Sequence, residues 1–230
     1  MNLTALIPVK KNSERVPDKN FRLFNGKPLF HWMMETLQQC EFISEILVNS
    51  DSTEVADFIL QQISKGKVID RPIELCGDLV TMNSLIAYDI NQTTCDCFLQ
   101  THATNPMLSL KTINSAIQLY EASLSEYDSL LSVTKISNRL YAADGKAINH
   151  TNTKMQRTQD MQPVYEENSN LFIFSRKSFV DAGNSRVGLR PQLFEMDKIE
   201  CMDIDYENDF RLAELIHRNK NLFPEVFEAT

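Results

Sequence analysis

The sequence lacks both of the common glycine-rich nucleotide-binding motifs, because neither GxxxxGK[ST] nor GxGxxG occurs in its 230 residues. P-loop NTPases and dinucleotide-binding Rossmann proteins are therefore excluded, since their phosphate contacts depend on those glycines. The chain also has no run of about eighteen apolar residues and no signal-peptide pattern at its start. We expect from this a cytoplasmic protein with no membrane partner.

Cysteine is scarce and irregularly placed, since the five residues follow neither a disulfide framework nor a zinc-site spacing. The formal net charge is −8, so a domain-wide basic surface for a nucleic acid or an anionic membrane is not expected. Hydrophobic residues make up 43% of the chain, which is ordinary for a globular domain with a sizeable core.

One basic stretch stands out from this acidic background. Leu3–Val9 is a nearly continuous apolar run, as expected of a central parallel strand buried on both faces. From Lys10 to Lys27, six bases then face two acids. A loop at the carboxyl end of the first strand lies where α/β proteins bind ligands, and the small residues Asn12 and Ser13 let backbone N–H groups approach an anion. The stretch favours a triphosphate-binding loop, although a solvated surface loop has the same charge pattern.

Strands and helices alternate along the rest of the chain, which predicts an α/β fold with a mainly parallel sheet. Apolar residues at helical spacing predict helices over 28–40, 53–64, 81–91, 109–120 and 208–219. Short apolar runs predict further strands over 43–49, 67–70, 95–100, 129–135 and 171–174.

The basic stretch also carries a family resemblance. Its sequence IPVKKNSERVPDKN resembles the opening signature of the CMP-sialic acid synthetase (acylneuraminate cytidylyltransferase) family of sugar nucleotidyltransferases. The matching positions are Ser13, Pro17, Lys19 and Asn20. Lys10 stands where the family usually has Arg, and Glu14 stands where it usually has Lys. Arg and Lys differ at bidentate phosphate sites, so we expect Arg15 or Lys11 to compensate.

Two later segments resemble the same family in the same order. Arg71–Asp78 resembles its R-P-x-E-L-x-x-D run, a loop that closes over the nucleotide, and this implies that Arg71 contacts the ligand. Proline and glycine alone would also give an ordinary turn there. Leu99, Gln100 and Pro106 fit the family's L-Q-x-T-S-P run. The Gln100 amide offers a donor and an acceptor to a base edge or to the sugar, unless it bonds a neighbouring turn.

The regular alternation stops at residues 138–167, a polar segment too long for an ordinary loop. In the family the equivalent region is a small lobe that exchanges across a homodimer, so the resemblance implies a dimer. Arg157 lies in a run that resembles R-x-Q-x-x-P, which makes it a candidate for pairing with a sugar carboxylate. Asn168 matches the Asn of the family's N-G strand, where Ser169 replaces the Gly. Its amide either contacts the sugar or forms a turn.

The segment Asp203-Ile204-Asp205 resembles the family's D-I-D-x-x-x-D signature. An Asp-x-Asp pair on extended backbone places both carboxylates on one face. Two hard anionic oxygens so placed suit Mg²⁺, which keeps waters and phosphate oxygens as its other ligands. The alternative is that Asp205 caps the last helix and Asp203 is merely exposed.

The resemblance covers nearly the whole chain and implies one doubly wound domain over 1–230, with a dimerisation lobe at about 138–167. It implies a cytidylyltransferase that joins CTP to an acidic keto-sugar of the sialic type and releases pyrophosphate. The implied catalytic residues are Lys10, Lys19, Asp203 and Asp205. The implied nucleotide contacts are Lys10, Asn12, Ser13, Arg15, Lys19, Asn20, Arg71 and Gln100, and the implied sugar contacts are Gln100, Arg157 and Asn168.

Two other functions fit the same residues. One is transfer of another nucleotide or use of another sugar, such as a Kdo-type acid. The other is a catalytically silent binding or scaffold protein, which the exchanged residues Lys10 and Glu14 favour. The retained pair Asp203 and Asp205 opposes that second alternative, because a scaffold gains nothing from two adjacent carboxylates.

Overall fold

The computed structural model describes residues 1–77, 79–151, 153 and 157–227. The strands of its main sheet are β1 (Leu3–Val9), β4 (Ile43–Ser50), β5 (Gly66–Asp70), β6 (Cys97–Gln100), β7 (Ser129–Ile136), β8 (Val164–Ser175) and β9 (Pro191–Glu195). A two-stranded hairpin pairs β2 (Leu23–Phe24) with β3 (Lys27–Pro28). The helices are α1 (Leu29–Gln39), α2 (Thr53–Gln62), α3 (Met82–Asp89), α4 (Leu110–Ala122), α5 (Arg176–Asp181), α6 (Glu207–Arg218) and α7 (Pro224–Phe227).

The seven-stranded sheet has the order β5-β4-β1-β6-β8-β7-β9. All neighbouring pairs are parallel except those of β8, which runs antiparallel to β6 and β7. The chain winds outward from β1 through β4 to β5 and then returns to place β6 on the other side of β1. The carboxyl ends of β1 and β6 therefore flank a topological switch point, where ligands bind in open α/β sheets.

Helices cover both faces of this sheet, so the predicted doubly wound, mainly parallel fold is confirmed. Alternate residues of β1 enter different cores: Ala5 and Ile7 pack with α1, α2 and α4, whereas Leu6 packs with α3 and α5. This two-sided burial explains the continuous apolar run of β1. No helix in the described ranges has both the length and the apolar character needed to span a membrane.

Most predicted elements agree with the structure to within a few residues, but the region after β7 differs. The predicted strand 171–174 is the end of a much longer strand, because β8 starts at Val164. Its first residues pair with Val133–Ile136, so the lobe predicted over 138–167 overlaps β8, and the connection itself spans 137–163. The sequence patterns did not predict α5, β9 or α7, which are short elements with partly exposed side chains.

Candidate active site

A cavity of about 410 Å³ opens at the switch point between β1 and β6. Segments that follow β1, β5 and β6 form its walls, together with the chain just before α6. Of the residues predicted as site residues, those that line the cavity are Lys10, Ser13, Arg15, Lys19, Asn20, Arg71, Asp203 and Asp205. Residues distant in sequence thus meet at one end of the sheet, as the motif order predicted.

The loop after β1 is held in place by two of its own side chains, those of Asn20 and Lys19. Asn20 is buried, and its Nδ2 donates to the carbonyl oxygen of Lys10 at 2.9 Å. Asp18 adopts φ = 52° just before a short 3₁₀ turn at Lys19–Phe21, which reverses the chain. Lys19 Nζ donates to the carbonyl oxygen of Ile204, so the basic loop is tied directly to the Asp203–Asp205 segment.

Asp203 and Asp205 both line the cavity, while Ile204 between them is fully buried against the core. The predicted placement of two carboxylates on one face is therefore what the structure has. The backbone N–H of Ile204 donates to the Thr104 carbonyl at 3.2 Å, which fixes this segment beside the loop after β6. Neither alternative role fits, because Asp203 is partly buried and it is Asp209, not Asp205, whose carboxylate accepts from the backbone N–H groups of Asp205 and Tyr206.

Charges in the cavity are closely coupled. Asp205 Oδ1 lies 2.7 Å from Arg15 Nη2 and 3.8 Å from Lys19 Nζ. Burial lowers the pKa of Lys19, an effect that the nearby Asp203 and Asp205 oppose. Burial also raises the pKa of Asp203, while a hydrogen bond from Thr104 opposes the change. A cation or phosphate that bound in this cavity would therefore replace some of these ion pairs with its own.

Arg71 enters the cavity from the carboxyl end of β5 and is fixed by β4. Its Nε donates to Asn49 Oδ1 at 2.7 Å, and its Nη2 donates to the Asn49 carbonyl at 2.8 Å. Asn49 Nδ2 in turn donates to the buried Asp89 carboxylate at 2.5 Å. Burial raises the pKa of Asp89 to about 6. The family resemblance predicted Arg71. Asn49 on β4 and Asp89 on α3, which hold it in place, belong to no motif that the sequence showed.

Four predicted site residues lie elsewhere. Asn12 lines a smaller cavity of about 310 Å³ that adjoins the first and shares Lys10 and Arg71 with it. Gln100 is fully buried, and its amide bonds Thr101, His102 and Arg186. Arg157 is 73% exposed and pairs with Asp160 at 2.7 Å.

Asn168 is the fourth of these, and it stabilises a bulge in β8 instead of lining the cavity. Its Oδ1 accepts from Ser132 Oγ at 2.6 Å, and its Nδ2 donates to Thr134 Oγ1 at 3.2 Å. The bulge turns the next residue, Ser169, toward the cavity with φ = 55°. That left-handed conformation favours glycine, which accounts for the Gly that the related family has at this position.

Sequence reasoning missed three cavity residues that follow or face β6: His102, Thr104 and Arg186. His102 is neutral, because burial and the neighbouring charges of Arg186 and Lys19 lower its pKa to about 3. Arg186 lies between α5 and β9 in a segment without a recognisable motif. Only the three-dimensional arrangement brings it to the end of β6.

A crevice at the switch point of an α/β sheet, lined by several cations and a carboxylate pair, is typical of a site that binds a nucleotide. The sequence matches the family described as Cytidylyltransferase over residues 4–225. The chain belongs to the cytidylyltransferase family, and the resemblance to its CMP-sialic acid synthetase members is confirmed.

Similar proteins carry related names. N-acylneuraminate cytidylyltransferase of Streptococcus agalactiae serotype V is 28% identical over 91% of this chain. This chain spans only 52% of that relative's length. CMP-N,N'-diacetyllegionaminic acid synthase of Legionella pneumophila is 25% identical over 93% of this chain and 95% of its own length. The post-translational flagellin modification protein B of Campylobacter coli is 24% identical, over 98% of this chain and 99% of its own.

Solved structures agree on the fold. A CMP:2-keto-3-deoxy-manno-octonic acid synthetase complexed with CTP superposes with a TM-score of 0.69 at 12% identity, over 96% of this chain and all of the other. The 4-diphosphocytidyl-2C-methyl-D-erythritol synthase of Anaerococcus prevotii gives a TM-score of 0.66 at 11% identity, over 94% of this chain and 96% of its own. At these identities the similarity establishes the fold alone.

Proposed function

We propose that this protein joins CTP to the anomeric hydroxyl of an acidic keto-sugar of the sialic type and releases pyrophosphate. The observation that carries the proposal is the single cavity in which Lys10, Arg15, Lys19 and Arg71 meet the pair Asp203 and Asp205. The names of the Streptococcus and Legionella relatives support a nonulosonic acid as the sugar.

The reaction is an in-line displacement at the α-phosphorus of CTP. The anomeric oxygen of the sugar forms the new bond to that phosphorus, and the bond to the bridging oxygen breaks, so that pyrophosphate leaves with the electron pair. Lys10, Lys19 and Arg71 would hold the triphosphate and offset the charge that develops on the leaving group. None of the described side chains that line the cavity is an obvious general base, so the hydroxyl proton would pass to water.

Asp203 and Asp205 fit a magnesium ion by the chemistry of their donors, since both offer carboxylate oxygens to the same cavity. Mg²⁺ would supply charge neutralisation on the phosphates when bound. In the described part of the chain, no three His, Cys, Asp or Glu residues lie close enough to form a complete metal site. Two carboxylates with ligands from water and phosphate are the arrangement that magnesium usually adopts beside a nucleotide.

A pyrophosphate-release screen tests the proposal. The purified protein is incubated with Mg²⁺, each of CTP, UTP, ATP and GTP, and each of N-acetylneuraminic, legionaminic, pseudaminic and Kdo acids. We expect release with CTP and a nonulosonic acid, and a CMP-sugar product in the mass spectrum. Release with Kdo alone would assign the Kdo-type alternative. A folded protein that releases no pyrophosphate in any combination would favour the silent scaffold.

We also propose that the protein acts as a homodimer in which residues 137–163 reach the partner. Arg157 supports this arrangement, because it is exposed and does not line the cavity of its own chain. Light scattering at about micromolar concentration measures the oligomeric state, because an obligate dimer stays associated at that concentration. A monomer with full activity would contradict the dimer and leave the nucleotide site unaffected.

A further inference from the structure

Arg186 is a largely buried cation at the cavity, beside Gln100 of β6 and Phe172 of β8. Its side chain is only 14% exposed, yet it lines the cavity. The guanidinium lies 3.7 Å from the ring centre of Phe172, and its Nη1 donates to Gln100 Oε1 at 2.5 Å. Gln100 and Phe172 are register partners across β6 and β8, so their side chains share the face on which Arg186 rests.

The charge of Arg186 is only partly compensated in the described structure. Its nearest carboxylate is that of Glu167, at 3.9 Å from Nη2. Gln100 is uncharged, and His102 is neutral because of its lowered pKa. A guanidinium has five N–H donors and accepts a carboxylate through two of them at once. A buried cation with an incomplete set of partners is costly unless a ligand supplies the missing anion.

The segment that follows Arg186 is held by Asp128 and Ser129. The N–H groups of Leu189 and Arg190 donate to the Asp128 carboxylate at 2.9–3.2 Å. Ser129 Oγ donates to the Val187 carbonyl. Gly188 has φ = +73° and lies so near Asp128 that a Cβ there would clash with its carboxylate. The guanidinium is therefore positioned before any ligand arrives, which lowers the entropy cost of binding.

The chemistry of a 2-keto sugar acid gives this cation a natural ligand. In such an acid the anomeric carbon carries both the carboxylate and the hydroxyl that attacks the phosphorus. A group that fixes the carboxylate therefore also fixes the attacking oxygen. Lys10, Lys19 and Arg71 follow β1 and β5 and suit the triphosphate, whereas the guanidinium of Arg186 lies beside Gln100 of β6 and Phe172 of β8.

We propose that Arg186 binds the carboxylate of the acidic sugar and makes the site specific for keto-sugar acids. This inference rests on the proposed function. Gln100 then acts indirectly by holding the guanidinium.

Substrate discrimination tests the inference. Initial rates are measured with N-acetylneuraminic acid and N,N'-diacetyllegionaminic acid, each beside its neutral methyl ester, for the wild type, Arg186→Gln and Arg186→Lys. We expect the wild type to prefer the acid by about a hundredfold, the usual effect of removing one partner of a buried charge pair. Arg186→Gln should raise the KM for the acid by a similar factor, lose the preference over the ester, and keep the KM for CTP within about threefold.

Arg186→Lys should give an intermediate preference, because lysine keeps the charge and loses the fork. Arg190→Gln is the matched control, since Arg190 is an exposed arginine of the same segment, and it should behave as the wild type. A wild type that uses acid and ester equally overturns the inference without any variant. So does a folded Arg186→Gln protein that keeps the preference. Failure of the wild type to bind CTP or release pyrophosphate would instead overturn the proposed function.

Discussion

Asn49 holds the guanidinium of Arg71 at two points, accepting from Nε at its side-chain oxygen at 2.7 Å and from Nη2 at its backbone oxygen at 2.8 Å. Because Arg71 lines the cavity that we propose binds CTP, Asn49 would act on the nucleotide through Arg71. We expect Asn49→Ala to raise the KM for CTP about tenfold, the usual value of one lost hydrogen bond to a charged group. The kcat and the KM for the sugar should change much less.

The control for this prediction is Asn91→Ala, which removes an exposed amide that donates to the Ala87 carbonyl. Thermal unfolding of both variants shows whether the Asn49→Ala protein still folds, since Asn49 is buried. A folded Asn49→Ala protein with an unchanged KM for CTP would mean that Arg71 does not contact the nucleotide.

Asp89 belongs to the same hydrogen-bond network and makes the free energy of unfolding depend on pH. It is buried, and burial raises its pKa to about 6 from 3.8. The folded state therefore binds a proton more tightly than the unfolded state, so the free energy of unfolding falls as pH rises from about 4 to 6 and stays lower above that range. The shift corresponds to about 3 kcal/mol. Asp89→Asn removes this titration and keeps an acceptor for Asn49 Nδ2.

We therefore expect the unfolding temperature of Asp89→Asn, measured relative to the wild type, to rise between pH 4.5 and pH 7. Comparison of the two proteins at each pH cancels the contributions of the other titrating groups. The KM for CTP should be unchanged, since Arg71 keeps its support. A difference in unfolding temperature that does not depend on pH would show that Asp89 has an ordinary pKa in the folded protein.

The sequence predicted the parts of this site that are local. A strand buried on both faces, a basic loop at its end and a carboxylate pair with an apolar residue between them each leave a pattern within a few neighbouring residues. Lys19 and Asp205 were both expected in the site, and Lys19 Nζ lies 3.8 Å from Asp205 Oδ1. Lys19 also donates to the carbonyl of Ile204, which is 185 positions away in the sequence. Order along an α/β chain was sufficient to bring them together.

The remaining part of the site depends on pairing between strands, which sequence patterns do not specify. Gln100 was expected to face a ligand, but its register with Phe172 directs it to Arg186. Asn168 was expected to face the sugar, but the bulge in β8 gives that position to Ser169. In this bulge β8 has three more residues than β7, and an odd insertion exchanges the face on which the following side chains lie.

Nucleotide choice gives a further prediction. The Nδ2 of Asn20 is occupied by the Lys10 carbonyl, and its buried Oδ1 has no hydrogen-bond partner among the described residues. The amino group of cytosine would supply a donor, whereas uracil has a carbonyl at that position. We expect CTP with Mg²⁺ to raise the unfolding temperature more than UTP at equal concentration, with about tenfold tighter binding. Equal stabilisation by CTP, UTP, ATP and GTP would contradict a cytidine-specific site.

Asp203→Asn and Asp205→Asn should each lower kcat by at least about a hundredfold and leave the fold intact, as expected when an electrostatic contact to the transition state is lost. Because Asn is nearly isosteric with Asp, a large loss of kcat would result from the loss of the negative charge and not from a change of shape. Without metal, CTP binding should stay equal or improve, because Asp205→Asn releases Arg15 and Lys19 from their ion pairs. Asp181→Asn, an exposed acid of α5 paired with Lys177, is the control. Activity near that of the wild type in both variants, with unchanged circular dichroism, would mean that the nucleotide alone holds the metal and that the carboxylate pair serves the structure by anchoring Arg15 and Lys19.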